Sequence, residues 1–393
     1  MAVDRPRYLE AAVRADLEAK MVLLAGPRQV GKTTLARRVL RGQESGVYLN
    51  WDNREDRREI RAARWPGGTA LVVLDELHKW RGWKSWLKGE FDKHGERLSF
   101  LVTGSARLDL YRRGGDSLQG RYQHHRLHPF SYAEAVSVRA PRAIPLGREL
   151  DLPGRGDQAL VEGLLEFGGF PEPFLAQSPR GLRRWQKERL ERFFREDVRD
   201  LEPIRDLSNF QLLADLLPER VGSLLSLNAL RGDLEVSHRA LAHWMDVLET
   251  MYHVFRIRPF GGPRGRLLTK MPKAYMWDWS LVPDRAARFE NLVASHLLKL
   301  CHHLEDSEGH PLALRYIRDR EGREVDFLVA AGRKPWLLVE VKLAETKVDP
   351  AVVHFKERFG VPLAYQVTLE GGRDFVQDGV RVVPAHRFLA ALV

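Results

Sequence analysis

Short apolar runs alternate with helical stretches over the first third of the chain. The predicted strands are residues 21–25, 46–51, 71–75, 98–103 and 121–128. Runs such as Leu71-Val-Val-Leu74 are apolar at every position, which is typical of strands buried on both faces of a sheet. Strands separated by helices predict an α/β fold up to about residue 137, with helices covering both faces of a parallel sheet.

A different pattern follows this segment. Residues 139–156 are rich in Pro, Gly and Arg and form the first candidate linker. From 157 to about 202 the periodicity is helical, which predicts a small all-helical lid. We therefore place the first domain at 1–150 and the helical lid at 151–205.

Residues 206–275 show the order of a winged helix-turn-helix. Ser237 is placed to cap an amphipathic helix, and an extended run at 254–259 and a glycine-rich turn follow it. In a DNA-binding protein the early residues of that helix would face the major groove, and arginines of the wing would contact the backbone. These candidates are His238, Arg239, His243, Arg264 and Arg266. The same fold also serves protein packing, so both interpretations remain.

One glycine-rich segment has a specific chemical meaning. Residues Gly26-Pro-Arg-Gln-Val-Gly-Lys-Thr-Thr34 fit G-x-x-x-x-G-K-[ST], between a predicted strand and a predicted helix. In such a loop, backbone N–H groups converge on phosphate oxygens at the positive end of a helix. The predicted nucleotide-binding residues are Gly26, Pro27, Arg28, Gln29, Val30, Gly31, Lys32, Thr33 and Thr34. Lys32 would neutralise the β- and γ-phosphates, and Thr33 would bind Mg²⁺.

Further polar residues follow the next predicted strands. Asp75 and Glu76 end an apolar run about forty residues after the loop, where Asp75 would hold Mg²⁺ through water and Glu76 would orient or deprotonate the attacking water. Ser105 follows the strand at 98–103 and would sense the γ-phosphate. Arg121 is a candidate arginine finger from a neighbouring subunit, with a surface arginine as the alternative.

The C-terminal segment, residues 276–393, contains a second polar constellation. Glu290 lies in a predicted helix, and Asp326 lies in a strand whose hairpin partner contains Glu340 and Lys342. Residues two apart on a strand point to one face, so these side chains can meet. Two carboxylates and a lysine suit a divalent metal, bound by Asp326 and Glu340, that activates water against a phosphodiester. Strands with alternating charge are also common without any such role.

Composition narrows the class of protein. The chain of 393 residues has a formal net charge of +10, which favours nucleic acid or another polyanion as partner. Its apolar runs are far too short for a membrane span, and the first residues lack the apolar stretch of a secretory signal, so we expect a cytoplasmic protein. The single cysteine, Cys301, excludes an internal disulfide.

These motifs together resemble one family. The chain is similar to prokaryotic AAA-type ATPases, relatives of the archaeal ATPases, that carry a C-terminal domain of unknown function. The resemblance spans nearly the whole chain, from the glycine-rich loop and Leu74-Asp-Glu-Leu-His-Lys79 onwards. It continues through Thr103-Gly-Ser105, Leu118-Gln-Gly-Arg121, Leu127-His-Pro-Phe130, Gly168-Gly-Phe-Pro-Glu172, Arg195-Glu-Asp-Val-Arg-Asp200, Lys273-Ala-Tyr-Met-Trp-Asp278, Glu324-Val-Asp-Phe and Glu340-Val-Lys342.

The resemblance implies an ATPase core, a helical lid, a winged helix and a C-terminal domain similar to PD-(D/E)xK nucleases. ATP and Mg²⁺ are the expected cofactors, and DNA, branched or single-stranded, is the expected partner. A homo-oligomer would allow Arg121 to act on a neighbouring subunit. Two other functions remain: an ATP-dependent signalling switch acting on a protein partner, and an active Mg²⁺-dependent nuclease of mobile-element or defence systems.

Overall fold

The structure is a computed structural model of the chain. It describes residues 5–104, 108, 118–136, 146–154, 156–198, 204, 206–261, 271–344 and 347–393. By contacts the chain divides into two compact units, Met1–Pro129 and Phe130–Val393, and each is described by itself.

The first unit contains a five-stranded parallel sheet. Its strands are β1 (Met21–Ala25), β2 (Gly46–Asn50), β3 (Leu71–Asp75), β4 (Ser99–Thr103) and β5 (Tyr122–Arg126), in the order β2-β3-β4-β1-β5. Its described helices are α1 (Glu10–Leu17), α2 (Lys32–Arg41), α3 (Arg54–Ala62) and α4 (Trp83–His94). The predicted parallel α/β fold is confirmed, and each predicted strand is present to within two residues.

The order of the strands determines where polar residues collect. Strands β1 and β3 are buried along their whole length, as their unbroken apolar pattern predicts. Because all five strands are parallel, their carboxyl ends lie at the same edge of the sheet. Register pairs Asp75 with Asn50 on β2 and with Thr103 on β4. The segments that follow β1, β3 and β4 therefore meet at this edge.

The second unit contains a mixed eight-stranded sheet. Its strands are β6 (Val254–Pro259), β7 (Lys273–Met276), β8 (Leu312–Arg318), β9 (Glu324–Ala331), β10 (Lys334–Lys342), β11 (Leu363–Thr368), β12 (Phe375–Gln377) and β13 (Val380–Pro384), in the order β12-β13-β11-β10-β9-β8-β6-β7. Its described α-helices are α5 (Tyr132–Val136), α6 (Gln158–Phe167), α7 (Pro171–Ala176), α8 (Pro179–Arg192), α9 (Leu207–Leu216), α10 (Leu227–Leu234), α11 (His238–Thr250), α12 (Arg285–Glu308), α13 (Pro350–Phe359) and α14 (Ala385–Ala390). A further α/β domain thus follows the first unit.

The segment predicted as a winged helix contains a capped helix and a strand hairpin, but the hairpin is part of a larger sheet. The Ser237 hydroxyl accepts a hydrogen bond from the Ala240 N–H at 3.1 Å and caps α11, as predicted. Strands β6 and β7 form an antiparallel pair, but the end of β6 also pairs with β8. The hairpin is thus continuous with the large sheet, whereas a free wing would stand apart. The finer division into lid, winged helix and nuclease-like domain stays a prediction, and Arg264 and Arg266 lie outside the described residues.

Helix α5 is anchored on the long helix α12 by polar groups. The backbone N–H of Tyr132 donates to Nε2 of His296 at 2.9 Å, and the other ring nitrogen lies 2.8 Å from the carbonyl of Leu292. An imidazole that accepts at Nε2 and donates from Nδ1 is neutral. Burial lowers the pKa of His296 to about 4, and the nearby Lys299 ammonium acts in the same direction, against the Leu292 carbonyl and Glu134.

This histidine predicts a loss of stability in acid. An unfolded histidine takes up a proton below about pH 6.5, whereas folded His296 does so only near pH 4, so stability is lost as pH falls between these values. Between pH 7.5 and 5, His296 is expected to lower the free energy of unfolding by about 2 kcal/mol. Urea unfolding at both pH values, compared with His296→Gln, measures it. An equal pH dependence in the two proteins would contradict the assignment.

Candidate functional site

The glycine-rich loop adopts a backbone that only some residues tolerate. Gly26, Gln29 and Gly31 have φ angles of 147°, 62° and 100°, respectively. A Cβ added to Gly26 would lie 2.5 Å from the carbonyl oxygen of Leu127, so the backbone there requires glycine. Gly31 then leads directly into α2, where the first N–H groups of the helix have no partner within the helix itself. The predicted phosphate-binding loop therefore has the required shape.

Arg7 supports this loop from the N-terminal segment. Its guanidinium donates to the carbonyl oxygens of Val30 at 2.8 Å and His128 at 2.5 Å, and the residue is buried. It thus joins the phosphate-binding loop to the chain that follows β5. The sequence analysis missed Arg7, because an arginine ahead of the first helix has no motif that marks it.

Lys32 and Thr33 begin α2, directly after the glycine-rich loop. The Lys32 ammonium donates to the carbonyl oxygens of Gly26 at 2.9 Å and Pro27 at 2.8 Å, so it lies over the loop that would hold phosphate. The Thr33 hydroxyl donates to Oδ2 of Asp75 at 2.8 Å. Hydroxyl and carboxylate oxygens are the hard ligands that Mg²⁺ prefers, and these two meet beside the loop. The residues thus fit a nucleotide-bound Mg²⁺.

Asp75 is held by side chains from three elements. Besides Thr33, it accepts hydrogen bonds from the Tyr48 hydroxyl at 2.5 Å and from the Thr103 hydroxyl. Burial and the contact with Asp75 raise the pKa of Tyr48 to about 12, so its hydroxyl stays a donor. The sequence analysis missed both residues as partners of Asp75. A hydroxyl at the end of a neighbouring strand was the available signal for Thr103, but strand order decides which strands are neighbours.

Glu76 follows Asp75 in a left-handed backbone conformation, with φ of 57°. Its N–H donates to the carbonyl of Thr103 at 3.1 Å, which fixes the turn at the end of β3. Oε2 of Glu76 lies 3.3 Å from the Lys79 ammonium, which also contacts Asp52 at 2.5 Å. Burial disfavours the Lys79 charge, but these two carboxylates outweigh it and raise the pKa of Lys79. Lys79 thus holds the Glu76 side chain at the rim of the loop.

The other two predicted residues of the first unit have different outcomes. Ser105 lies outside the described residues. Arg121 forms a two-pronged contact with Asp92, with nitrogen to oxygen distances of 2.6 and 3.2 Å. The backbone carbonyl of Arg121 accepts a hydrogen bond from the N–H of Met21, the first residue of β1. The phosphate-binding loop begins after the last residue of that strand. Five strand residues span about 16 Å, so Arg121 does not reach the loop of its own chain. Its action on a neighbouring subunit stays a prediction.

Two of the predicted C-terminal residues, Glu290 and Asp326, lie around a lysine that the sequence analysis did not single out for any role. The Lys273 ammonium lies 2.6 Å from Glu324, 3.5 Å from Glu290 and 3.6 Å from Asp326. Glu340 accepts from the Lys342 ammonium at 2.7 Å, as their shared strand face predicts. Within the described residues, no group of three or more His, Cys, Asp or Glu side chains is arranged to hold a metal ion. Metal binding by Asp326 and Glu340 stays a prediction.

Burial shapes the electrostatics of this cluster. It raises the pKa of Asp326 well above its usual range, helped by the charges of Glu290 and Glu340. Burial also raises the pKa of Glu340, against the opposing effect of Lys342. For Lys273, burial disfavours the charge, yet the surrounding carboxylates outweigh it and raise the pKa. The lysine is therefore a permanent cation within the cluster.

Comparison with known families agrees with the two units. Residues 18–136 match the family model described as an AAA domain. Residues 158–291 and 286–388 each match a model described as a domain of unknown function. With the phosphate-binding loop and the parallel sheet already described, the first unit has the fold of an AAA-type P-loop ATPase.

The chain is also similar to individual proteins. An uncharacterised protein of Mycobacterium tuberculosis is 24% identical over 355 residues, covering 86% of this chain and 73% of that protein. Another, of Methanocaldococcus jannaschii, is 27% identical over 403 residues, covering 90% and 82%. Among solved structures, a Walker-type ATPase of Pyrococcus abyssi has a TM-score of 0.43 at 15% identity, covering 72% of this chain and 98% of that one. The Aeropyrum pernix ORC1 protein in complex with DNA has a TM-score of 0.34 at 17% identity, covering 75% and 94%.

The helices that the structure describes include none with the length and apolar content to cross a membrane.

Proposed function

We propose that this chain binds and hydrolyses ATP with Mg²⁺ and that its C-terminal half engages DNA. The observation that supports hydrolysis best is the meeting of Thr33, Tyr48 and Thr103 on Asp75, beside Lys32 and the phosphate-binding loop. Three donors from three different elements hold one carboxylate where a nucleotide-bound metal ion would lie. These hydrogen bonds fix the orientation of the carboxylate, which a metal ligand requires.

In the proposed reaction each residue has a separate task. The N-terminus of α2 and the Lys32 ammonium bind the phosphates, and Thr33 and Asp75 hold the metal ion. Mg²⁺, when bound with the nucleotide, withdraws charge from the phosphate oxygens. Glu76, fixed by Lys79 at the rim of the loop, orients the attacking water and accepts its proton. Arg121 lies on the opposite edge of the sheet, so it would act on a neighbouring subunit of an oligomer.

DNA engagement rests on charge and exposure. The chain has a net charge of +10. His238, Arg239 and His243 are exposed on α11 and lie at the beginning and first turns of that helix. A basic, solvent-facing helix start suits contacts with a groove or with phosphates.

The test is ATP hydrolysis by the purified chain with and without linear, single-stranded and branched DNA. Stimulation by one form, together with a DNA affinity that falls as salt rises, is expected. Arg239→Ala should weaken DNA binding roughly fivefold, whereas Arg58→Ala, which removes an equal charge from exposed α3, should leave it unchanged. Hydrolysis that no DNA changes would contradict DNA coupling and favour a switch acting on a protein partner.

A further inference from the structure

The carboxylates of the C-terminal sheet already have partners within the chain. Each oxygen of Glu324 contacts a cation, with Lys273 at 2.6 Å and Arg318 at 3.0 Å. Asp326 has the Lys273 ammonium at 3.6 Å on one oxygen and the N–H of Val341 at 3.0 Å on the other. To bind a metal ion, these oxygens would have to point toward one common position, and no ammonium or guanidinium group of the chain could occupy that position.

Glu340 is engaged in the same manner. One of its oxygens accepts from the Lys342 ammonium at 2.7 Å, and the other from the N–H of Asp326 at 3.2 Å. Lys342 is also tied to Asp349, at 3.1 Å. Asp326 and Glu340 are the carboxylates predicted to bind a metal. Each of their oxygens thus already has a cation or an N–H of the chain as its partner.

Lys273 is held in place by its backbone as well as by charge. It is the first residue of β7 and pairs with Ile257 on one side, and it bridges to Leu224 on the other. Its side chain is only 2% exposed. Three carboxylates surround this buried ammonium, so it is a resident cation of the cluster.

The cluster is also covered by the segment between α9 and α10. The N–H of Leu225 donates to the carbonyl of Pro272 at 2.8 Å, next to Lys273. A Cβ on Gly222 would lie 2.8 Å from Oε2 of Glu290, whose other oxygen accepts from the Tyr275 hydroxyl at 2.7 Å. Gly222 has a φ of 76° and lies where only a residue without a side chain fits. A phosphodiester has no approach to Glu290 from this side.

We infer that Lys273 takes the place of a divalent metal in the carboxylate cluster of Glu290, Glu324, Asp326 and Glu340. The cluster joins residues 221–225 to the sheet, and the C-terminal domain does not cut DNA. This inference is independent of ATP hydrolysis, because the cluster lies wholly within the second unit.

The first test uses the unaltered chain without nucleotide. Titration with Mn²⁺, followed by electron paramagnetic resonance, should give the same binding curve for wild type and Asp326→Asn. Any Mn²⁺ held at the ATP site is identified by its loss in Asp75→Asn. Linear, single-stranded and branched DNA should all stay intact with Mg²⁺ present. One Mn²⁺ bound by wild type and lost in Asp326→Asn, or cleavage that requires Asp326, would overturn the inference.

The second test removes the cation. Lys273→Met should lower the melting temperature and create a Mn²⁺ site, so that saturating Mn²⁺ raises that temperature by about 5 °C. Lys299→Met is the matched control, because Lys299 is equally buried and pairs with Glu134, which is not a member of the cluster. It should be destabilised without any response to Mn²⁺. Adding Asp326→Asn to Lys273→Met should abolish the response.

A folded Lys273→Met protein that gains no affinity for Mn²⁺ would contradict the inference. If that variant does not fold, the wild-type titration and the cleavage assay decide the question on their own.

Discussion

Glu76→Gln is expected to lower kcat for ATP hydrolysis by about 10²- to 10⁴-fold while leaving ATP binding intact. Glutamine keeps the size of the side chain and loses only the ability to accept a proton from water. Glu76 follows Asp75 at the carboxyl end of β3, and its carboxylate contacts Lys79. Because glutamine keeps the shape of the side chain, we expect nucleotide binding to persist. Phosphate release measures kcat, and titration with a fluorescent ATP analogue measures binding.

Two control variants separate this role from general damage. Lys32→Ala should weaken binding as well as hydrolysis, because Lys32 lies over the loop and would contact the phosphates directly. Glu59→Gln, on the exposed face of α3, should leave both unchanged. A Glu76→Gln protein that hydrolyses ATP at close to the wild-type rate would show that another group activates the water.

Lys299→Met is expected to lower the free energy of unfolding of the second unit by about 3–5 kcal/mol. The Lys299 ammonium contacts Glu134 and donates to the Ser131 hydroxyl at 3.1 Å, and both charged side chains are almost fully buried. Removing the lysine leaves the Glu134 carboxylate buried in a low-dielectric site without the ammonium charge that balances it. Equilibrium unfolding in urea measures the change.

The double variant Lys299→Met/Glu134→Leu tests the cause. If the loss comes from a buried unpaired charge, removing that charge should recover most of the stability, since apolar side chains of similar size replace such pairs well. Lys187→Met, an exposed lysine on α8, should change the free energy of unfolding by less than about 0.5 kcal/mol. A double variant as unstable as Lys299→Met would point to lost packing instead.

Local features of the site were predictable because short-range chemistry determines them. Gly31 meets a backbone requirement of the loop itself, with a φ of 100°, and the strand and helix on either side follow from apolar periodicity. The Ser237 cap is likewise set by its own helix. Glu340 and Lys342 share a face because side chains alternate along a strand.

Other features depend on which strands are neighbours. Tyr48 and Thr103 reach Asp75 only because β3 lies between β2 and β4. Arg121 lies at the end of the sheet opposite the phosphate-binding loop because β5, which follows it, pairs in parallel with β1. The pattern of residues along the sequence does not reveal this pairing.

The sequence by itself determined the phosphate-binding loop, the parallel α/β core and the acidic residues at the strand ends. The pattern that indicates each of them, whether a motif or an alternation of strand and helix periodicity, is read from residues close together in the sequence. Only the tertiary structure decided that Arg7 supports the loop and that Lys273 fills the carboxylate cluster. Lys273 and Asp326 are separated by about fifty residues, and what a buried charge does depends on the partners that folding brings to it.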